Sequence, residues 1–139
     1  MSADKVFLDT NILVYLHSDA DVLKYKKAVA IIEDYENCIV STQVLSEFCN
    51  VCIKKLKRLP QEIESTIDDI LEICELSTVS KETIRQAIYL QGRYKFSYYD
   101  SLIISSALEN DCKYLFSEDL TDKQEIEGLV IKNIFAAQA

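Results

Sequence analysis

The chain has 139 residues, 49% of them hydrophobic, with only two glycines and one proline, which suits one globular domain over residues 1–139 without a linker. Its formal net charge of −8 argues against nucleic-acid binding through a generally basic surface. The sequence shows neither a membrane-spanning apolar run nor a signal peptide, and five cysteines, an odd number, suit reduced thiols. We therefore expect a cytoplasmic protein that makes no use of a membrane.

The predicted elements alternate between short strands and helices. Apolar runs bounded by turn residues predict strands at 5–8, 38–40, 75–79, 114–116 and 129–131. Helical spacing of apolar residues and N-cap residues predict helices from the turn at 9–11 to about 15, over 21–35, 43–58 and 61–74, from Ser80 to about 94, and from Ser97 to about 110. This alternation predicts an α/β fold with a short central parallel sheet flanked by helices on both faces.

Acidic residues fall near the carboxyl ends of the predicted strands, where open parallel sheets bind their ligands. Asp9 follows the first strand directly, and Asp119 comes shortly after the strand at 114–116. Each has a structural alternative, since Asp9 suits a helix cap and Asp119 belongs to an acidic loop with Glu118 and Asp122. Both carboxylates are nevertheless expected at the same edge of the sheet.

Two further acids lie on predicted helices. Glu47 is one helical turn from Val44 and Val51, at the edge of an apolar stripe, where it needs a partner such as Lys54 or Lys55.

Asp100 completes a capping-box pattern with Ser97, yet apolar residues follow it one turn later. A partly buried carboxylate is costly without a compensating cation or donor, and a divalent metal would satisfy it. Converging carboxylates suit Mg²⁺ or Mn²⁺, which support phosphodiester hydrolysis without histidine, and the lone His17 is expected to be structural or superficial.

Four segments of the chain, taken in order, resemble the successive motifs of the PIN domain. They are Val6-Phe7-Leu8-Asp9-Thr10-Asn11, Ser41-Thr42-Gln43-Val44-Leu45-Ser46-Glu47, Tyr98-Tyr99-Asp100-Ser101-Leu102-Ile103 and Ser117-Glu118-Asp119-Leu120. The tail Glu127-Gly128-Leu129-Val130-Ile131 is similar to the family's last strand. Within the family, the sequence most resembles VapC-type toxin ribonucleases.

The resemblance implies a Mg²⁺- or Mn²⁺-dependent endoribonuclease in which a metal-activated water attacks phosphorus. Asp9 and Asp100 would be the direct metal ligands, Glu47 and Asp119 would complete the acidic pocket, and Thr10 or Asn11 would support it. Asp122 is an alternative to Asp119. The resemblance also implies an RNA substrate, a cognate antitoxin and a homodimer. The basic residues available to hold RNA are Lys54, Lys55, Lys57, Arg58, Arg85, Arg93 and Lys95, although each also suits a solvated helix end.

Two other functions start from the same acids. A Mg²⁺-dependent phosphatase would share the acid after the first strand, but Asn11 stands where an Asp-x-Asp pattern requires a second acid. A non-catalytic interaction module would usually have lost one of the four acids.

The spacing of Cys49 and Cys52 lacks the second pair or histidine of a zinc site, and packing is expected for both. The aromatic residues at 94, 96, 98 and 99 are expected in the core and its rim, with base stacking as the alternative.

Overall fold

The computed structural model describes residues 1–136 of the chain. Its strands are β1 (Ser2–Leu8), β2 (Tyr35–Ser41), β3 (Cys74–Ser77), β4 (Tyr114–Phe116), β5 (Glu125–Ile126) and β6 (Leu129–Lys132). Its helices are α1 (Thr10–Leu16), α2 (Val22–Asp34), α3 (Thr42–Lys54), α4 (Pro60–Ile73), α5 (Lys81–Tyr94) and α6 (Tyr98–Glu109). The predicted end of the domain at residue 139 lies outside the described residues.

The strands form one sheet in the order β3-β2-β1-β4-β6-β5. All neighbouring strands are parallel except β5 and β6, so the predicted parallel sheet is confirmed for its central strands. The two-residue strand β5 was not predicted. It pairs with β6 through a tight turn at Glu127 and Gly128, where both φ angles are positive, at 50° and 95°. Two consecutive positive φ angles match the twist of a short hairpin, and Gly128 adopts its angle without a steric penalty.

The strand order explains why helices cover both faces. The chain moves from β1 to β2 to β3 in one direction along the sheet, and then returns past β2 and β1 to β4. Crossovers between parallel strands are right-handed, so reversing the direction moves the connecting helices to the other face. Helices α1 to α4 therefore share one face and α5 and α6 the other, in agreement with the packing of α1 against α3 and of α5 against α6.

The core lies between the sheet and these two helix layers. Val6, Phe7 and Leu8 at the end of β1 are fully buried, as is Leu115 in the neighbouring β4. The run of buried residues from Ser101 to Ala107 shows that α6 is enclosed on nearly all sides. Among the helices within residues 1–136, none combines the length and apolar content of a membrane span.

One predicted boundary was wrong in a way that the backbone explains. Helix α3 ends at Lys54, four residues before the predicted end, and its C-cap Lys55 is still right-handed. The chain turns away at Lys57, which adopts a left-handed conformation with φ of 54°, and the Arg58 backbone amide then donates to the Cys52 carbonyl at 2.9 Å. Glycine is the residue that usually adopts a left-handed conformation, so the lysine gave no signal of this turn.

Candidate active site

The candidate site lies where the strand order reverses, between the carboxyl ends of β1 and β4. Leu8 pairs with Phe116, so Asp9 and Ser117 are the first residues to leave the two strands side by side. The Asp9 amide still donates to the Phe116 carbonyl at 3.0 Å. Helix α1 starts directly after β1, whereas a loop follows β4, and open parallel sheets bind their ligands in the crevice at such a reversal of strand order.

Asp9 is a buried carboxylate with two hydrogen-bond donors and, within residues 1–136, no ion pair. It is 5% exposed, its Oδ1 accepts from the Thr10 amide at 2.7 Å, and its Oδ2 accepts from the Ser117 hydroxyl at 2.8 Å. Burial raises the pKa of Asp9 to about 6, the two hydrogen bonds oppose this rise, and the negative charges of Asp119 and Glu47 add to it. The bond from Thr10 is also the predicted cap at the start of α1.

Glu47 is held by side chains from two helices. The Thr10 hydroxyl donates to its Oε2 at 2.8 Å, and the Gln43 amide donates to its Oε1 at 2.9 Å. The same Gln43 nitrogen lies 3.2 Å from the Tyr99 carbonyl, which ties α3 to the first turn of α6. Within residues 1–136, Glu47 forms no ion pair, so pairing with Lys54 or Lys55 does not explain its position.

Asp100 stands in the first turn of α6. The Ser97 hydroxyl accepts from the Asp100 backbone amide at 3.1 Å and caps the helix as predicted, but the reciprocal bond of a capping box, from the Ser97 amide to the Asp100 carboxylate, is absent among residues 1–136. The Asp100 side chain lines the same cavity as Asp9. Partial burial, foremost, raises the pKa of Asp100, and the charges of Asp119 and Glu47 raise it further.

The fourth carboxylate of the cavity is Asp119, and Asp122 lies elsewhere. The side-chain amide of Asn11 donates to Asp119 Oδ2 at 3.2 Å. The backbone amide of Asp119 donates to the Ser117 hydroxyl at 3.2 Å. Asp122 instead accepts from the Asn133 amide at 2.9 Å and does not line the cavity.

A second group of contacts, not predicted from the sequence, anchors the segment that carries Asp119. Glu118 accepts from the Tyr15 hydroxyl at 2.8 Å and forms an ion pair with Lys24 at 3.0 Å. Lys24 Nζ also lies 3.1 Å from the Tyr15 hydroxyl, and the Asn133 side chain donates to the Glu118 carbonyl at 2.7 Å. We call the trio Tyr15, Lys24 and Glu118 the latch, since it fastens this segment to α1 and α2.

These residues enclose an acidic pocket of about 300 Å³. Its lining residues are Asp9, Thr10, Asn11, Glu47, Asn50, Val51, Tyr99, Asp100, Ile103 and Asp119. The structure thus brings together the four acids and both supporting residues that the sequence singled out. Ser117 and Gln43, which orient two of the acids, were missed. A small polar residue directly after a strand adjacent to β1 was the available signal for Ser117.

The donor chemistry of the pocket suits a hard divalent cation. The lining offers four carboxylates and no lysine, arginine or histidine, so repulsion among the acids has no local compensation. No three Asp, Glu, His or Cys side chains within residues 1–136 converge on one point as a complete ligand set. Mg²⁺ commonly binds one or two carboxylates directly and keeps several waters, and this arrangement fits that mode.

The seven basic candidates lie outside the acidic pocket. All of them are exposed. Lys54 ends α3, Lys55 follows it, and Lys57 and Arg58 lie in the loop before α4. Arg85 and Arg93 are on α5, and Lys95 is its C-cap. Tyr99 carries an aromatic ring, is 66% exposed and lines the pocket.

Similar folds occur among solved structures. A toxin-antitoxin complex from Klebsiella pneumoniae matches with a TM-score of 0.69 and 22% identity over 93% of this chain and 96% of that chain. VapC20 from Mycobacterium tuberculosis, described as a sarcin-ricin loop cleaving toxin, matches with a TM-score of 0.69 and 16% identity over 83% and 92% of the two chains. VapBC2 from Rickettsia felis, bound to a promoter DNA fragment, matches with a TM-score of 0.66 and 22% identity over 92% and 97%. At these identities the likeness concerns the fold.

The sequence comparisons give a family. No curated protein matches the chain. The family model described as "PIN domain" matches residues 6–121, which include the four acids and both strands that position the pocket. The chain belongs to the PIN domain family.

Proposed function

We propose that this protein is a metal-dependent endoribonuclease that acts as the VapC-type toxin of a toxin-antitoxin pair. The observation that carries the proposal is the acidic pocket itself, where four carboxylates from separate parts of the chain meet at the sheet edge with no lining cation. Membership of the PIN family and the toxin folds among solved structures support the same function.

The site residues divide into direct ligands and positioning groups. Asp9 and Asp100 would bind Mg²⁺ or Mn²⁺ directly, and Glu47 and Asp119 would hold its water ligands or a second ion. The bound metal would lower the pKa of water, orient the phosphate and offset the charge that develops at phosphorus.

Hydrogen bonds already orient three of the four carboxylates, those of Asp9, Glu47 and Asp119, before any ligand binds. Thr10 contributes twice, since its amide orients Asp9 and its hydroxyl orients Glu47. Asn11 orients Asp119 in the same way. Such fixed geometry limits the reorganisation that binding a metal or a phosphate requires.

A protein of net charge −8 would still bind RNA, because a metal ion would offset the negative charge of the pocket acids. The basic candidates would hold the phosphate backbone outside the pocket. Tyr99 at the rim offers an exposed ring on which an unpaired base could stack.

We further propose a cognate antitoxin and a homodimer as partners, and a cytoplasmic location. Two of the solved structures with this fold are described as complexes of toxin and antitoxin or of VapB with VapC. An antitoxin would silence the pocket by inserting a basic side chain among the unpaired acids. Competition between purified antitoxin and Mn²⁺ for the pocket tests this, and a complex that binds Mn²⁺ as well as the free toxin does would refute it.

The decisive test compares RNA cleavage by the wild type with that by Asp9→Asn and Asp100→Asn, in Mg²⁺, in Mn²⁺ and in chelator. Asp69→Asn, an exposed acid on α4, is the matched control. We expect cleavage by the wild type and the control only with metal, and none by the two pocket variants. Cleavage that persists in chelator, or full activity of both pocket variants, would overturn the proposal.

A further inference from the structure

A second cavity in the described part of the chain is separate from the acidic pocket. It has a volume of about 500 Å³ and lies where α1 ends and α2 begins. We call it the α1–α2 cavity. Its lining residues are Leu16, His17, Ser18, Asp19, Val22, Tyr25 and Arg58.

The two cavities are joined by the pair of helices α1 and α3. Thr10 lines the acidic pocket, Val14 follows it at i+4 on the same face of α1, and His17 is the C-cap of this helix. Glu47, Val51 and Lys54 form the corresponding row on α3. A hydrogen bond from Thr10 to Glu47 joins the two helices, and one from Arg58 to the His17 carbonyl at 3.0 Å joins the segments that follow them.

The distance between the cavities suits a short length of nucleic acid. Helix α1 has seven residues and spans about 10 Å at 1.5 Å per residue. Stacked nucleotides advance about 3.4 Å along a strand, so about three of them cover this length. A strand with its scissile phosphate at the acids would therefore reach the α1–α2 cavity within a few nucleotides.

The side chains of the cavity match the parts of a nucleotide. The Tyr25 ring is 43% exposed, and the His17 ring has one free nitrogen because its Nδ1 must donate to the Leu13 carbonyl at 2.9 Å. Arg58 keeps guanidinium donors beyond the one it gives to His17, and guanidinium groups bind phosphate well. Asp19 supplies an acceptor for an exocyclic amino group of a base.

The lining of the cavity holds one cation, Arg58, and one anion, Asp19, and a basic run adjoins it along the chain. Lys54, Lys55 and Lys57 are exposed and precede Arg58 in one basic run, in a chain whose net charge is −8. Such a run attracts the phosphates of RNA, and the metal ion that the proposed function assigns to the acidic pocket attracts them too.

We propose that the α1–α2 cavity is a nucleotide-binding subsite of the nuclease. It receives an unpaired base of the substrate RNA against Tyr25 and His17, and Arg58 holds a neighbouring phosphate. The inference rests on the proposed function, since it assigns the second cavity to the substrate cleaved in the acidic pocket.

Two substitutions test the subsite, each with a matched control. Tyr25→Leu removes the ring but keeps an apolar side chain, and Tyr89→Leu makes the same change on α5, where Tyr89 is 52% exposed and lines neither cavity. Arg58→Gln removes one charge, and Lys81→Gln does so at an exposed position at the start of α5. Thermal midpoints of all four show whether each fold is intact.

The readout is cleavage of unstructured oligoribonucleotides of increasing length. With the long substrates we expect Tyr25→Leu to raise KM about tenfold with little change in kcat, because base stacking on the ring is lost far from the chemistry. Dinucleotides that cannot reach the cavity should not distinguish Tyr25→Leu from the wild type. Arg58→Gln should reduce the salt dependence of RNA binding by the equivalent of about one phosphate contact.

Several results would overturn the subsite. Equal KM values for Tyr25→Leu and Tyr89→Leu at every RNA length would refute the subsite. If the wild type still cleaves RNA in that case, the proposed function is unaffected. Unchanged RNA binding by the cavity variants, together with loss of binding to a protein partner, would assign the cavity to protein recognition. A wild type that cleaves no RNA would refute the proposed function itself.

Discussion

Replacing Asp9 with asparagine is expected to stabilise the metal-free protein while abolishing its activity. The pKa of Asp9 is raised from its ordinary value of 3.8 to about 6, mainly by burial. Because the folded-state pKa lies above the unfolded one, the favourable contribution of Asp9 is fully present below about pH 4 and is lost as the pH rises through 6. At neutral pH the ionised carboxylate therefore works against folding.

The size of the effect follows from the same two values. The difference between 3.8 and about 6, at about 1.4 kcal/mol per unit, corresponds to roughly 3 kcal/mol as an upper bound. Asparagine keeps the oxygen that accepts from the Thr10 amide, and its NH₂ group faces the Ser117 hydroxyl in place of Oδ2. We expect a gain of about 1 to 3 kcal/mol in the free energy of unfolding at pH 8.

The assay is urea denaturation of the wild type, Asp9→Asn and the exposed control Asp69→Asn, in chelator at pH 8 and at pH 4. The stability advantage of Asp9→Asn should shrink towards zero at pH 4, where residue 9 of the folded protein is neutral in the wild type as well as in the variant. Added Mn²⁺ should stabilise the wild type by mass action, by about 2.7 kcal/mol at a hundredfold excess over Kd, and should stabilise Asp9→Asn much less.

Two outcomes would refute this reasoning. If Asp9→Asn is less stable than the wild type at pH 8 in chelator, the donors from Thr10 and Ser117 outweigh the cost of burying the charge. If its advantage is the same at both pH values, the gain comes from something other than ionisation of Asp9.

Further predictions concern groups that support the site. Ser117→Ala removes a donor that lowers the pKa of Asp9, so it should move the acid limb of the pH–activity profile to higher pH. Ser106→Ala changes a buried hydroxyl that has no hydrogen-bond partner among the described residues, and it should leave this limb unchanged. Glu118→Gln breaks the ion pair of the latch and should weaken Mn²⁺ binding several-fold in a titration, and Asp4→Asn, which breaks the exposed pair with Lys113, should have no effect. Lys95→Gly relieves a left-handed φ of 65° and should raise the free energy of unfolding by about 1 kcal/mol, and a lower stability would contradict that account.

Most of the fold was accessible to pattern reasoning because its signals are local. Apolar runs such as residues 6–8, and cap residues such as Ser80 and Ser97, act through neighbouring backbone groups and need no tertiary context. The misses arose where local signals were absent. Strand β5 is two residues long, and the chain turns away after α3 at a left-handed lysine, Lys57, where glycine is the usual marker.

The candidate site was predictable to a similar depth. Asp9 and Asp119 could be placed at one edge because parallel strands share the direction of their carboxyl ends. The contact of Glu47 with Thr10 could not be found in this way because 37 residues separate them, whereas Gln43 lies one turn before Glu47 on the same helix and was within reach of a local pattern. The latch depends on Glu118, which is 103 residues from its partner Tyr15, so it left no mark in any local pattern.

The sequence by itself determined the alternation of strands and helices, the family motifs and the identity of the four acids, because each follows from residue type and short-range spacing. Only the tertiary structure decided that Asp119 rather than Asp122 lines the pocket, that Thr10 and Ser117 orient the acids, and that a second cavity lies beyond α1. These depend on which segments the strand order brings side by side at its reversal between β1 and β4. That reversal is a property of the whole sheet, set by long-range packing that no short segment of the sequence encodes.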